Sequence, residues 1–309
     1  FLTSCAGGAR VNCRFPMKRQ ELTGLRYELE VSGLLGGHSG GEIHKERGNS
    51  NCILGRLLWK LSEKMPVGLV FADGGLADNA IPRQTKAVVV VEEKDAASLE
   101  QQVAALAAEL RDELATKDPD VKVTAKKLID TAETITCATP EDIKRVAAFL
   151  QATPNGVQAM SADMPGLVQT SLNLGILKAD AEVLRAEYSV RSSVESEKDN
   201  LIAKLSALVE LAGGDYVVTG DYPGWKYRVH SPLREKMVKL YAEMYGNEPR
   251  VEAIHAGLEC GLLGSKISDL DCVSMGPDMK DIHTTEETLS ISSTKRVWEY
   301  LVRVLETKD

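Results

Sequence analysis

Residues 25–33 (LRYELEVSG) alternate apolar and polar side chains, the period-2 signature of a strand with one buried face. Beyond a glycine-rich turn, Gly36-Gly37-His38-Ser39-Gly40-Gly41, the period lengthens. Ile53, Leu57 and Leu61 recur one helical turn apart and predict an amphipathic helix over 49–64. Strands are expected near 67–73 and 84–92, on either side of the turn-like Asp78-Asn79-Ala80-Ile81-Pro82-Arg83. A long Ala/Leu/Glu helix covers 95–116, and a short strand at 120–126 follows Pro119. The stretch 130–139 reads as a linker. Thr139-Pro140-Glu141-Asp142 then opens a helix to about 152, with a capping threonine and first-turn acids that suit the helix dipole. Strands near 156–161, 168–178 and 181–191 lead to a helix at 196–212, closed by Gly213-Gly214, and a strand at 215–220.

The order contains a repeat. AVVVVEEKDAASLEQQVAALAAEL (87–110) is echoed by AEYSVRSSVESEKDNLIAKLSALVEL (186–211), each a strand running into an amphipathic helix and each followed by a short strand. Two βαββαβ-type units are expected, building one large, mainly antiparallel sheet with helices on one face: an α+β domain. From about 221 the style changes. A Tyr222-Pro223-Gly224-Trp225 turn leads to a helix at 231–246, a strand (250–255), a short helix (257–264), a strand (270–275) and a last helix (293–307). Apolar strands alternating with helices suggest a parallel α/β segment, and two strands do not make a stable sheet alone.

Composition narrows the classes. The chain has 309 residues, 43% apolar and 27% charged, with a net charge of −8 spread without blocks. That is an ordinary globular balance and lacks the concentrated basic face that nucleic acid requires. No apolar run approaches the roughly 18–20 residues that span a bilayer, and no signal peptide precedes the first domain. Cys5, Cys13, Cys52, Cys137, Cys260 and Cys272 form no CxxC pair, and read as reduced thiols of a cytoplasmic protein. The chain opens on Phe1, so it is expected to start inside a longer protein.

Chemistry can sit in few places. The histidines are His38, His44, His230, His255 and His283, and none forms HExxH. His44 and His230 read as solvated or capping residues. His38 has glycines on both sides, which let the backbone approach another surface and the imidazole reach outward. A local metal cluster with Glu42 and His44 is disfavoured by the glycine turn. A phosphate cradle is disfavoured by the absence of GxGxxG and GKS/GKT. His283 lies just beyond a predicted strand end, where α/β sheets place functional groups, and is open to a metal role or a structural one. Arg191 and Asn79 can together hold a carboxylate, although a surface ion pair is the simpler reading of Arg191.

Gly36–His44 (GGHSGGEIH), Asp78–Arg83 (DNAIPR), Thr153–Val157 (TPNGV), Thr170–Gly175 (TSLNLG), Tyr222–Trp225 (YPGW) and Ile254–Gly261 (IHAGLECG) together carry a family likeness. In that order and spacing they resemble the aminoacyl-histidine dipeptidases, also called cytosol non-specific dipeptidases, relatives of carnosinase and carboxypeptidase G. The resemblance implies a catalytic α/β domain holding two zinc ions, interrupted by a lid domain. It places the end of the N-terminal catalytic portion at 1–20, the lid at 21–220 and the C-terminal catalytic part at 221–309. It implies His283 as the one zinc ligand in this stretch, the others and the general base lying upstream of Ser4-Cys5-Ala6-Gly7-Gly8. His38 would polarise the scissile carbonyl, Asn79 and Arg191 would grip the substrate carboxylate, and Gly257 would make a backbone contact at the rim of the metal site. Glu259, in the same motif, receives no role. Metal-assisted hydrolysis of dipeptides is implied, with a homodimer as a further partner and no nucleic acid or membrane. These residues alone are expected to be inactive. The contrasting expectation is a non-catalytic ligand-binding or dimerisation module, with nucleotide binding third.

Overall fold

The computed structural model describes residues 1–281 and 285–308. The first βαββαβ unit consists of β3 (Arg19–Ser32), α1 (Ser50–Ser62), β5 (Gly68–Gly74), β7 (Thr85–Val91), α2 (Ala96–Glu113) and β8 (Lys122–Lys127). Its strands lie in the order β5-β7-β3-β8. The second unit comprises β2 (Gly7–Pro16), α3 (Pro140–Ala152), β11 (Val168–Ala179), β12 (Val183–Ser192), α4 (Glu195–Leu211) and β13 (Asp215–Tyr222), in the order β13-β2-β12-β11. The two orders are the same, so the repeat seen in the sequence is a repeat of fold. The units meet edge to edge where Leu177 pairs with Gly74 and Ala179 with Ala72. With β9 (Glu133–Ala138) and β10 (Gly156–Met160) the sheet has ten strands, and its pairings are antiparallel.

Two expectations change here. The second unit takes its first strand from residues 7–16, which the sequence reading assigns to the portion before the sheet. The first unit is therefore inserted between β2 and α3. Residues 133–138 are not a linker: β9 pairs with the first half of β3 and touches β5.

Burial follows the alternation. Leu25, Tyr27, Leu29 and Val31 of β3 are buried while Arg26, Glu28 and Glu30 between them are not. The four helices form a layer on that face, α1 packing on α2 and α3, and α3 on α4, around one apolar core. Each fully buried side chain of Leu or Phe size contributes about 1.5–3 kcal/mol. The opposite face of the sheet carries no helix of either unit, and the site lies there.

The remaining residues form a smaller unit. β1 (Leu2–Cys5) runs parallel to β14 (Glu252–Ile254), while α5 (Pro232–Tyr245) and α7 (Ile291–Glu306) close on Met237, Leu240, Tyr300 and Val304. Phe1 stacks on Tyr300 with ring centroids 5.6 Å apart. α6 (Glu259–Lys266) follows β14. The expected strand at 270–275 does not form: Ser274 makes a single bridge to Leu2, and β14 finds its partner in β1 instead.

Candidate functional site

Along β12, Tyr188 and Val190 are buried against the helices, so Ser189 and Arg191 project from the helix-free face. The register places Ser171 of β11 opposite Arg191, Arg191 opposite Gly8 of β2, and Gly8 opposite Tyr222 at the end of β13. One row thus crosses four strands. In it, Arg191 Nη1 donates to Tyr222 Oη at 3.3 Å. Arg191 is half-buried, and its Nε is buried with no acceptor. Among the described residues no carboxylate lies within ion-pairing distance of this guanidinium. A buried-edge cation without a counter-ion is costly to maintain and favours an anionic ligand.

His38 is delivered to the row by a short strand pair, β4 (Gly37–His38) with β6 (Ala80–Ile81), in which His38 lies opposite Ala80. Gly37 sits at φ 145, a region that side chains rarely adopt. Just past the histidine, a Cβ on Gly40 would lie 2.5 Å from the carbonyl of His255 and 3.0 Å from the His38 ring, so only glycine lets the loop seat there. The Gly40 and Gly41 N–H groups both donate to His38 Nδ1, at 3.1 and 3.0 Å. With Nδ1 accepting, the ring proton resides on Nε2, which is left as an outward donor. Burial, and after it the charge of Arg191, hold the His38 pKa below its ordinary 6.5, with Glu42 opposing. Glu42 is spent on the loop itself. It accepts from Lys45 at 2.6 Å and from the His38 N–H at 3.0 Å, and its pKa falls to about 2.

A buried amide chain fixes this loop to the sheet. Asn49 caps α1, accepting from the Asn51 and Cys52 N–H groups at 3.0 and 3.1 Å, and donates to Asn173 Oδ1 at 3.2 Å. Asn173 in turn donates to the carbonyls of Ala80 (2.9 Å) and Asp78 (3.3 Å). Asn79, between them, accepts at its carbonyl from Ser39 N–H at 2.8 Å, and the residue is exposed beside His38.

His255, next after β14, closes the site from the smaller unit. Its Nε2 lies 2.7 Å from Ser171 Oγ, and among the described residues its buried Nδ1 has no partner in hydrogen-bond geometry. Burial, then the charge of Arg191, push its pKa down to about 4. An unfolded imidazole titrates near 6.5, so between the two values the unfolded chain binds a proton that the native one does not. The stabilisation from the neutral ring is complete above pH 6.5 and is lost as pH falls from about 6.5 to about 4. The gap corresponds to about 3 kcal/mol. Denaturant midpoints of the chain should fall across that window, and a His255→Gln variant should show a flatter profile there. Parallel profiles would contradict the assignment.

His38, Arg191 and Gly257 therefore come together, with Asn79 beside His38: a Cβ on Gly257 would lie 2.8 Å from the Tyr222 ring. His283 lies outside the described residues. Among the described residues no group of three or more His, Cys, Asp or Glu side chains could hold a metal ion, so they do not by themselves fit a zinc centre. The sequence alone assigns no role to Ser171, Asn173, Tyr222 or His255. All four fall inside quoted motifs, but only the register shows what each one meets.

Residues 29–118 match the family of the peptidase dimerisation domain. The chain is 32% identical over 303 residues to the cytosol non-specific dipeptidase of Escherichia coli (strain K12), an alignment covering 97% of this chain and 62% of that protein. It superposes on the aminoacylhistidine dipeptidase of Vibrio alginolyticus with a TM-score of 0.92 at 32% identity, covering 99% of this chain and 62% of the other. The chain thus spans less than two thirds of the length of these relatives. No helix among the described residues is long and apolar enough to cross a membrane.

Proposed function

We propose that this chain, which resembles the aminoacylhistidine dipeptidases along nearly its whole length, forms the substrate-gripping lid and the C-terminal catalytic part of a zinc dipeptidase of the cytosol. The observation that carries the reading is the half-buried Arg191, which has no counter-ion among the described residues, set beside an imidazole held as an Nε2–H donor. A dipeptide supplies what both groups lack. Its terminal carboxylate meets Arg191, with Asn79 assisting, and its scissile carbonyl oxygen lies one residue away, where His38 Nε2–H donates to it as negative charge develops. Gly257 adds a backbone contact at the rim. A longer peptide puts its terminus elsewhere, which explains a preference for dipeptides. Two zinc ions, with His283 as the ligand from this stretch, rest on the resemblance, and the described residues add no ligand set. A second copy of the chain is the proposed macromolecular partner, because residues 29–118 match a dimerisation domain.

The full-length protein should hydrolyse dipeptides, lose that activity to a chelator and regain it with zinc. Tripeptides of the same carboxyl-terminal residue should be poor substrates. The 309 residues alone, given zinc, should show no turnover. Equal rates on dipeptides and tripeptides would contradict the clamp, and turnover by the isolated 309 residues would contradict the division of labour.

A further inference from the structure

We propose that Tyr222 is a second donor to the substrate carboxylate, working beside Arg191; this rests on the reading of Arg191 as the carboxylate clamp. Tyr222 and Arg191 sit on strands separated by β2, and both pair with the same residue, Gly8. Side chains in register on neighbouring strands share a face, so phenol and guanidinium project from the same side of the sheet. A side chain at position 8 would stand between them. A Cβ there would lie 2.6 Å from Tyr222 Oη and 2.8 Å from its Cζ. The glycine opens a lane through which the ring lies across β2 to reach Arg191.

The direction of the contact follows from chemistry. A guanidinium has donors only, so at 3.3 Å the Tyr222 oxygen accepts from Arg191 Nη1. The hydroxyl proton remains to be donated, and among the described residues no acceptor takes it. An O–H beside a cation that lacks a counter-ion among the described residues matches the same anion that the cation would bind. A carboxylate has two oxygens, enough for the fork and the phenol together.

The phenol is also held in place before any ligand arrives. Its ring packs on Gly257. Its main chain is anchored by Lys198 of α4, a fully buried ammonium that donates to the Tyr222 carbonyl at 3.1 Å and pairs with Asp221 and, at 2.7 Å, with Glu195. A donor fixed by packing loses little freedom on binding.

The test compares Tyr222→Phe with the parent in the full-length zinc-loaded protein, on a dipeptide and on the corresponding dipeptide amide, which has no carboxylate. Tyr222→Phe should raise KM for the dipeptide roughly 10-fold, the size of a lost hydrogen bond to a charged group, with kcat little changed. KM for the amide, whose carbonyl oxygen is a neutral and weaker acceptor, should change clearly less. Gly8→Ala, which pushes the ring off the lane, should reproduce the dipeptide effect. Equal losses on dipeptide and amide would mean that the hydroxyl serves only the fold, and would overturn the proposal. An unchanged dipeptide KM in Tyr222→Phe, alongside a raised one in Arg191→Met, would overturn it while leaving the clamp intact. An unchanged KM in Arg191→Met would remove the clamp reading itself.

Discussion

Replacing His38 by alanine in the full-length protein should lower kcat on dipeptides about 10²–10³-fold, with KM and bound zinc nearly unchanged. That is the range for removal of one preorganised donor to a developing oxyanion. The geometry makes the donor a fixed one. Two backbone N–H groups point at Nδ1, so the proton is on Nε2 before substrate arrives and no tautomer change is needed. Protonation of Nδ1 would set a new N–H against two others, and both burial and Arg191 also oppose it. The sign for pH follows. A histidine whose pKa is lowered stays neutral until the pH drops beneath that lowered value, so any acid limb belonging to His38 lies below pH 6.5. Loss of zinc in parallel with kcat, or a fall of less than about threefold, would contradict the assigned role.

Arg191→Met should raise KM for dipeptides roughly 10–150-fold and leave dipeptide amides almost untouched, since a charge-assisted hydrogen bond contributes about 1.5–3 kcal/mol. A second readout is independent of activity. The Arg191 cation lowers the pKa of both His38 and His255. Its removal should therefore shift both imidazole titrations upward in an NMR pH series, His255 from its depressed value near 4. If neither ring moves, the Arg191 cation does not act on them as described.

Much of this was legible because burial imposes simple periods. Leu25, Tyr27, Leu29 and Val31 alternate with polar residues, and the helices after β7 and β12 repeat the same apolar spacing, so the doubled unit could be read directly. The same alternation is equally clear in Ala9, Val11, Cys13 and Phe15, all buried, but residues 1–20 were grouped with the preceding portion by resemblance. β9 was missed for a physical reason: of Glu133–Ala138 only Cys137 and Ala138 are buried, so no face is marked. In 270–275 the apolar residues suggested a strand, but an apolar run does not supply a neighbour to pair with.

The site was readable only in part. Glycines around His38 announce a close approach, Asn79 lies in the Asp78–Arg83 motif, and Arg191 lies in no quoted motif and enters through its place on a predicted strand and the resemblance. Tyr222 and His255 go unread, because neither carries a periodic mark. The meaning of Tyr222 depends on Gly8, more than 200 residues earlier, and that of His255 on Ser171, 84 positions away. Such pairs become visible only when strand register is known.

On the proposed reading, one row on the helix-free face holds the carboxylate of a dipeptide while His38 faces its carbonyl. The most direct measurement is a crystal structure of the full-length protein with zinc and a non-hydrolysable dipeptide analogue. The expected result has the carboxylate on Arg191 with Tyr222 Oη in reach, and His38 Nε2 within hydrogen-bond distance of the oxygen that replaces the scissile carbonyl. An analogue bound with its carboxylate away from Arg191, or with His38 turned from it, would contradict the account.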